Sequence, residues 1–137
     1  MGQAQFEKAL QTRLILASDG DLIELESGNF QISGSLSLEG KKKITIRGKG
    51  MDKTILSFKD QQTGAEGIKI TNCENIVLED LTVQDSKGDL IKTMHVKDIT
   101  FRRIKAEWTG GPNSQNGSYA LYPVLCTNIL IDSCIAI

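Results

Sequence analysis

Three stretches of this chain, residues 67–86, 90–109 and 120–137, carry one passage written three times. Aligned, they place Ile68, Ile91 and Leu121 in one column, then Ile70, Thr93 and Pro123, then Cys73, Val96 and Cys126. Four more columns follow: Ile76, Ile99, Ile129; Leu78, Phe101, Ile131; Leu81, Ile104, Cys134; and Val83, Ala106, Ala136. The first two copies are offset by 23 residues and the last two by 30, so the third copy is preceded by seven extra residues. Seven apolar columns held in register leave few folds open.

Within each copy the apolar residues form two alternating pairs, such as Ile76-x-Leu78 and Leu81-x-Val83, separated by two polar residues. A period of two is the strand signature, one side chain turned in and the next out. The polar pair, Glu79-Asp80 or Arg102-Arg103, reads as a corner. A short repeat built of strands and corners, with no helical period, is the pattern of a β-solenoid. Each copy is then one coil, and like residues stack at about 4.8 Å. A single coil cannot bury its inward side chains, whereas stacked coils turn them into a continuous core.

These repeats resemble the right-handed parallel β-helix of the pectate-lyase-like superfamily. The run from Gly20 to Leu25, then Gly28-Asn29-Phe30, and the later segment from Ile44 to Leu56 with Gly48-Lys49-Gly50, are similar to opening coils of that family. The resemblance is greatest to bacterial β-helix repeat proteins related to pectate lyases and mannuronan C5-epimerases. It implies an all-β, right-handed parallel β-helix of about four to five coils. It also implies export to the periplasm or cell exterior, and possible use of Ca²⁺. Reaction does not follow from fold, since the superfamily holds lyases, hydrolases, epimerases and non-enzymes.

The 137 residues amount to one domain, residues 1–137. Sixteen basic against seventeen acidic residues create no field that favours nucleic acid or an anionic membrane. No apolar run is long enough to span a bilayer, and the N-terminus lacks the charged-then-apolar pattern of a secretory signal. Cys73 and Cys126 share a column two coils apart, about 9.6 Å by strand spacing, which is beyond disulfide reach. Cys134 lies in another inward column. All three read as small buried hydrophobes, and no ligand cluster suggests a metal.

Residues 3–17 place Phe6, Ala9, Leu10 and Leu14 at helical spacing, with Glu7, Lys8, Gln11 and Arg13 between them. The expected helix lays its apolar stripe over the open end of the first coil; residues 20–137 supply the coils. Ile23-x-Leu25 and Phe30-x-Ile32 form an irregular first coil. Leu36-x-Leu38 and Ile44-x-Ile46 form the next, each 32 residues before Ile68, Ile70, Ile76 and Leu78. Lys41 falls in the Cys73 column, so that corner must differ in this coil. Gly48-Lys49-Gly50 lacks phosphate-loop spacing and reads as a turn. In the strand at residues 54–58, the pattern leaves open whether Ile55 or the pair Leu56 and Phe58 points inward.

Asn75, Asp98 and Asn128 make a polar column at a corner, where side chains of this kind tolerate left-handed backbone. Glu79, Arg102 and Asp132 stack with alternating charge. Exposed pairs of this sort contribute about 0–1 kcal/mol each.

The extra residues fall in a Gly-, Pro-, Asn- and Ser-rich loop, residues 107–119, bearing Trp108 and Tyr119. Loops on a rigid solenoid are common places for binding, and aromatics beside amides suit sugar rings. Trp108 and Tyr119 can equally close over the side of the helix. Outward strand positions add Lys69, Lys92 and Tyr122 in one column, and Thr82 and Lys105 in another. The candidate glycan-binding set is therefore Trp108, Tyr119, Tyr122, Lys92, Arg103 and Lys105. Polyuronate chemistry needs cations to neutralise a carboxylate and a base to take the adjacent proton. Lys92, Lys105, Arg102, Arg103 and His95 are of the right type, but they match no catalytic motif, and a solvated turn histidine is the simpler reading of His95.

The chain stops inside a strand, at Cys134-Ile135-Ala136-Ile137. An uncovered final coil exposes core and strand edges. The expectation is an N-terminal part of a longer β-helix, or a short solenoid that closes its end by self-association. The functional expectation is a structural or glycan-binding segment of a polysaccharide-associated protein. The alternative is a lyase or C5-epimerase on acidic glycans whose catalytic residues lie largely beyond Ile137.

Overall fold

The structure is a computed structural model, and it describes residues 2–111 and 119–137. It is a right-handed parallel β-helix of about four coils preceded by one helix. The helix α1 spans Gln3–Leu16. The strands are β1 (Leu22–Glu24), β2 (Gly28–Gln31), β3 (Leu36–Glu39), β4 (Lys42–Arg47), β5 (Thr54–Ser57) and β6 (Ile68–Thr71). They continue with β7 (Glu74–Gln84), β8 (Ile91–Met94), β9 (Lys97–Glu107), β10 (Leu121–Val124), β11 (Thr127–Asp132) and β12 (Ile135–Ala136).

All pairing among the described strands is parallel. A four-stranded sheet runs β3-β6-β8-β10, and an eight-stranded sheet carries the remaining strands. The observed register is the one the repeat dictates: Ile68 opposite Ile91 and Ile91 opposite Leu121, Ile44 opposite Ile76, and Ile76 opposite Ile99. The inward columns form one continuous core, with Ile44, Ile70, Ile76, Leu78, Leu81, Val83 and Ile99 fully buried.

Corners are made by left-handed residues that recur once per coil. One corner column holds Lys43, Asn75, Asp98 and Asn128, with φ from 55° to 62°. Another holds Asn72, His95 and Leu125, and a third Asp80, Arg103 and Ser133. A single left-handed residue turns a strand without a loop, so sheet follows sheet with little intervening chain. Asn and Asp accept that conformation most readily; Asn128 also donates its amide to Asp98 Oδ1 at 2.8 Å.

In β5 and just after it, Leu56 and Phe58 face the core, with Ile55 half-buried. The altered corner at Lys41 has a specific cause. Its Nζ donates to the carbonyls of Ile15 at 2.7 Å and Ala17 at 2.9 Å, placing a cation on the unsatisfied end of α1. Leu10, Leu14 and Ala17 of the helix segment are buried against the first coil. Its polar stripe binds strand edges: Glu7 accepts from Ser33 and Gly34, Gln3 from Gln31, and Arg13 donates to Glu24.

The charge ladder on the eight-stranded sheet is less exposed than its composition suggests. Glu79 retains 5% of its surface and sits between Arg47, at 2.6 Å, and Arg102, at 3.6 Å. Arg102 in turn pairs with Asp132 at 3.2 Å. The three cysteines are free, Cys73 buried and the other two half-buried. Burial pushes the Cys73 thiol above its ordinary value, which keeps it protonated and unreactive.

Candidate functional site

The four-stranded sheet presents two outward columns. Ser37, Lys69, Lys92 and Tyr122 stand opposite one another on β3, β6, β8 and β10. Beside them run Glu39, Thr71, Met94 and Val124. Each residue faces solvent because its neighbour two positions along shares its side, while Leu36, Ile68 and Ile91 fill the core from the other side. Ser37, Glu39, Lys69, Thr71, Met94 and His95 border a depression of about 230 Å³ on this face.

At the β10 end, Tyr119 and Tyr122 stack with centroids 4.5 Å apart and planes inclined by 12°. Lys92 Nζ lies 5.9 Å from the Tyr122 ring centroid, within cation–π range. Backbone contacts fix Tyr119. Its N–H donates to Asp89 Oδ1 at 3.1 Å, and its carbonyl accepts from Leu90 at 2.9 Å. Tyr119 is half-exposed, so a broad aromatic surface stands beside an ammonium group.

The remaining sequence candidates lie elsewhere. Arg103 belongs to the eight-stranded sheet and grips Asp80 bidentately, at 2.6 and 3.0 Å. That pairing holds the Asp80 carboxyl below its ordinary range and raises the Arg103 guanidinium. Lys105 pairs with Glu107 at 3.1 Å. Trp108 directly follows β9 and packs on the core, with Nε1 donating to the Ser86 carbonyl at 3.0 Å. Residues 112–118 of the predicted loop lie outside the described residues. The structure thus brings Tyr119, Tyr122 and Lys92 together, and leaves Trp108, Arg103 and Lys105 in structural contacts.

Lys69 belongs with the tyrosines through the register alone. Glu39 and Met94, which the sequence does not single out, join this face through the register of the second outward column, and His95 lies beside Met94. His95 is exposed at a left-handed corner. No group of three or more His, Cys, Asp or Glu residues that could hold a metal occurs among the described residues. No described helix is long and apolar enough to cross a membrane.

Fold and register define a right-handed parallel β-helix protein. Two solved structures are similar to it. One is a pectin methylesterase mutant in complex with a hexasaccharide, with TM-score 0.61 and 9% identity over 93% of this chain and 50% of that one. The other is a putative glycosyl hydrolase from Parabacteroides merdae, with TM-score 0.52 and 12% identity over 97% of this chain and 87% of that one. The chain spans about half the length of that methylesterase. At such identities the likeness concerns the fold. No protein-family model matches the sequence, and no curated protein does.

Proposed function

We propose that this chain is a polysaccharide-binding β-helix segment, with the outward face of the four-stranded sheet as its binding surface. The observation that carries the reading is the Tyr119–Tyr122 stack with Lys92 beside it. Stacked phenol rings offer apolar faces to sugar C–H groups at low entropic cost, because few side-chain torsions need ordering. The ammonium group beside them suits a sugar carboxylate. The compartment in keeping with this role is the periplasm or the cell exterior.

The test is affinity electrophoresis and calorimetry against a panel of neutral and acidic polysaccharides. Retention by at least one, lost in Tyr122→Ala and kept in Lys105→Gln, supports the reading. Absence of retention by every member removes it.

A second reading is a lyase or C5-epimerase on acidic glycans, favoured by one observation: Lys69, His95 and Glu39 border the same depression. A cation to neutralise a uronate and a group to take the adjacent proton are what that chemistry requires. Incubation with polyuronates, with and without added Ca²⁺, tests it. Unsaturated or epimerised product lost in His95→Ala supports catalysis; unchanged polymer in both conditions discards it.

A further inference from the structure

Three residues at the start of the second repeat hold the two tyrosines of the third. Lys92 stands opposite Tyr122 across β8 and β10, with its ammonium over the ring. Leu90 donates its N–H to the Tyr119 carbonyl at 2.9 Å. Asp89 accepts the Tyr119 N–H on Oδ1 at 3.1 Å. Asp89 directly precedes the second copy and Tyr119 the third, so the two occupy one position a coil apart. The rings differ in what else fixes them. Tyr122 lies within β10, where strand pairing sets the direction of its side chain. Tyr119 stands before that strand, at the end of the lengthened loop, and is half-exposed.

From these contacts we infer that Asp89 is the positioning residue of the Tyr119–Tyr122 stack. What the stack serves rests on the glycan-binding reading above; how it is held does not. Bonds at both the N–H and the carbonyl of residue 119 fix the two peptide planes that flank its Cα, and with them the direction of its side chain. The Tyr119 ring is thereby laid on Tyr122 before a sugar arrives, so the entropy of ordering it is lost on folding rather than on binding. The other foot of the same loop has its own clamp. Asp85 accepts from the Thr109 N–H at 2.7 Å and from its hydroxyl at 2.8 Å. Two aspartates of one turn thus hold the two feet of the next coil's loop, and Asp89 holds the foot that carries a ring of the stack.

The chain has two tyrosines and one tryptophan. In a Trp108→Phe background, the near-ultraviolet circular dichroism of tyrosine therefore reports on the stack. Asp89→Ala should reduce that band toward the level of Tyr119→Ala. Asp89→Asn, which keeps an acceptor oxygen, should restore it, and Asp85→Ala should leave it unchanged. Far-ultraviolet spectra check that each variant is folded. In the unsubstituted chain the Tyr119 amide should be protected from hydrogen exchange, a measurement that needs no variant. On affinity gels of polygalacturonate, xylan and mannan, a polymer that retains the parent chain should hold Asp89→Ala about threefold to tenfold less tightly, with Asp89→Asn restored. An unchanged tyrosine band in Asp89→Ala overturns the positioning role. So does an equal loss in Asp89→Asn or in Asp85→Ala, or fast exchange of the Tyr119 amide. Each of these leaves glycan binding standing. Retention by none of the polymers removes the glycan reading, and the spectra still decide the role of Asp89.

Discussion

Gln11 of α1 pairs with the backbone of Ser37 in β3 as a further strand would. Its amide donates to the Ser37 carbonyl at 3.0 Å, and its side-chain carbonyl accepts from the Ser37 N–H at 2.9 Å. With Gln3 and Glu7 at the preceding turns, the helix covers the N-terminal strand edges with side-chain amides and a carboxylate. An uncovered edge is a template for unwanted pairing.

Gln11→Ala therefore leaves one donor and one acceptor of β3 to water. The expected cost is about 1–2 kcal/mol, read as a lower urea midpoint at unchanged slope. Gln11→Glu keeps the acceptor and loses the donor, and should fall between alanine and wild type.

Asp80 and Asp132 should set the acid limit of the fold. The hydrogen bond from Arg103 holds the Asp80 carboxyl below its ordinary value; those from Ser133 and Arg102 do the same for Asp132. A folded-state value below the unfolded one means stability that is fully present above about pH 4 and lost as pH falls through the folded values. Urea midpoints should hold from neutrality to about pH 5 and drop below pH 4. Asp80→Asn should flatten that drop, and added salt should shrink it chiefly through Asp132, whose side chain is 48% exposed.

Gly48 lies against the backbone of the next coil at Asp80. A Cβ there would sit 2.8 Å from Thr54 Cβ and collide with the backbone carbonyl of Asp80. Gly48→Ala should destabilise by about 1–3 kcal/mol. Gly110, where a Cβ would meet nothing within 4 Å, should accept alanine with no measurable change.

Trp108→Phe keeps most of the packing and removes the indole N–H bound to Ser86. A loss of about 1 kcal/mol is expected, with glycan retention unaltered. Loss of retention in this variant would restore Trp108 to the binding surface.

The β11–β12 rung pairs only with β9 among the described strands, and Leu130, Ile131, Ile135 and Ile137 are exposed there. The 137-residue chain is accordingly expected to self-associate through this end. Light scattering should show a mass that rises with concentration, and Ile131→Lys should return it toward the monomer. A concentration-independent monomer rejects this.

The columns from Ile68 to Ala136 were legible because repetition reveals register without any knowledge of contacts. The polar stripe of α1 was not legible, since Gln3, Glu7 and Gln11 find their partners 26 to 28 residues away, in and just after β2 and in β3. Ile55 and Leu56 were ambiguous because Thr54 to Phe58 contains no clean alternation. The Lys92–Tyr122 relation follows from register. Arg103 and Lys105 join the tyrosines in the sequence by residue type alone, and their columns lie on the other sheet. Glu79 reads as exposed in the sequence, because alternation does not show that Arg47, Arg102 and Arg103 gather around it.

The alternating ladder of Arg47, Glu79, Arg102 and Asp132 constrains how a protein like this can grow over evolutionary time. Copying one coil and inserting it next to the original would set arginine against arginine, or carboxylate against carboxylate, on adjoining rungs. Copying two adjacent coils preserves the alternation. Lengthening by a pair of coils thus keeps every charged rung paired, and a gene that gains a single coil would recover that pairing through a charge-reversing substitution on the rung.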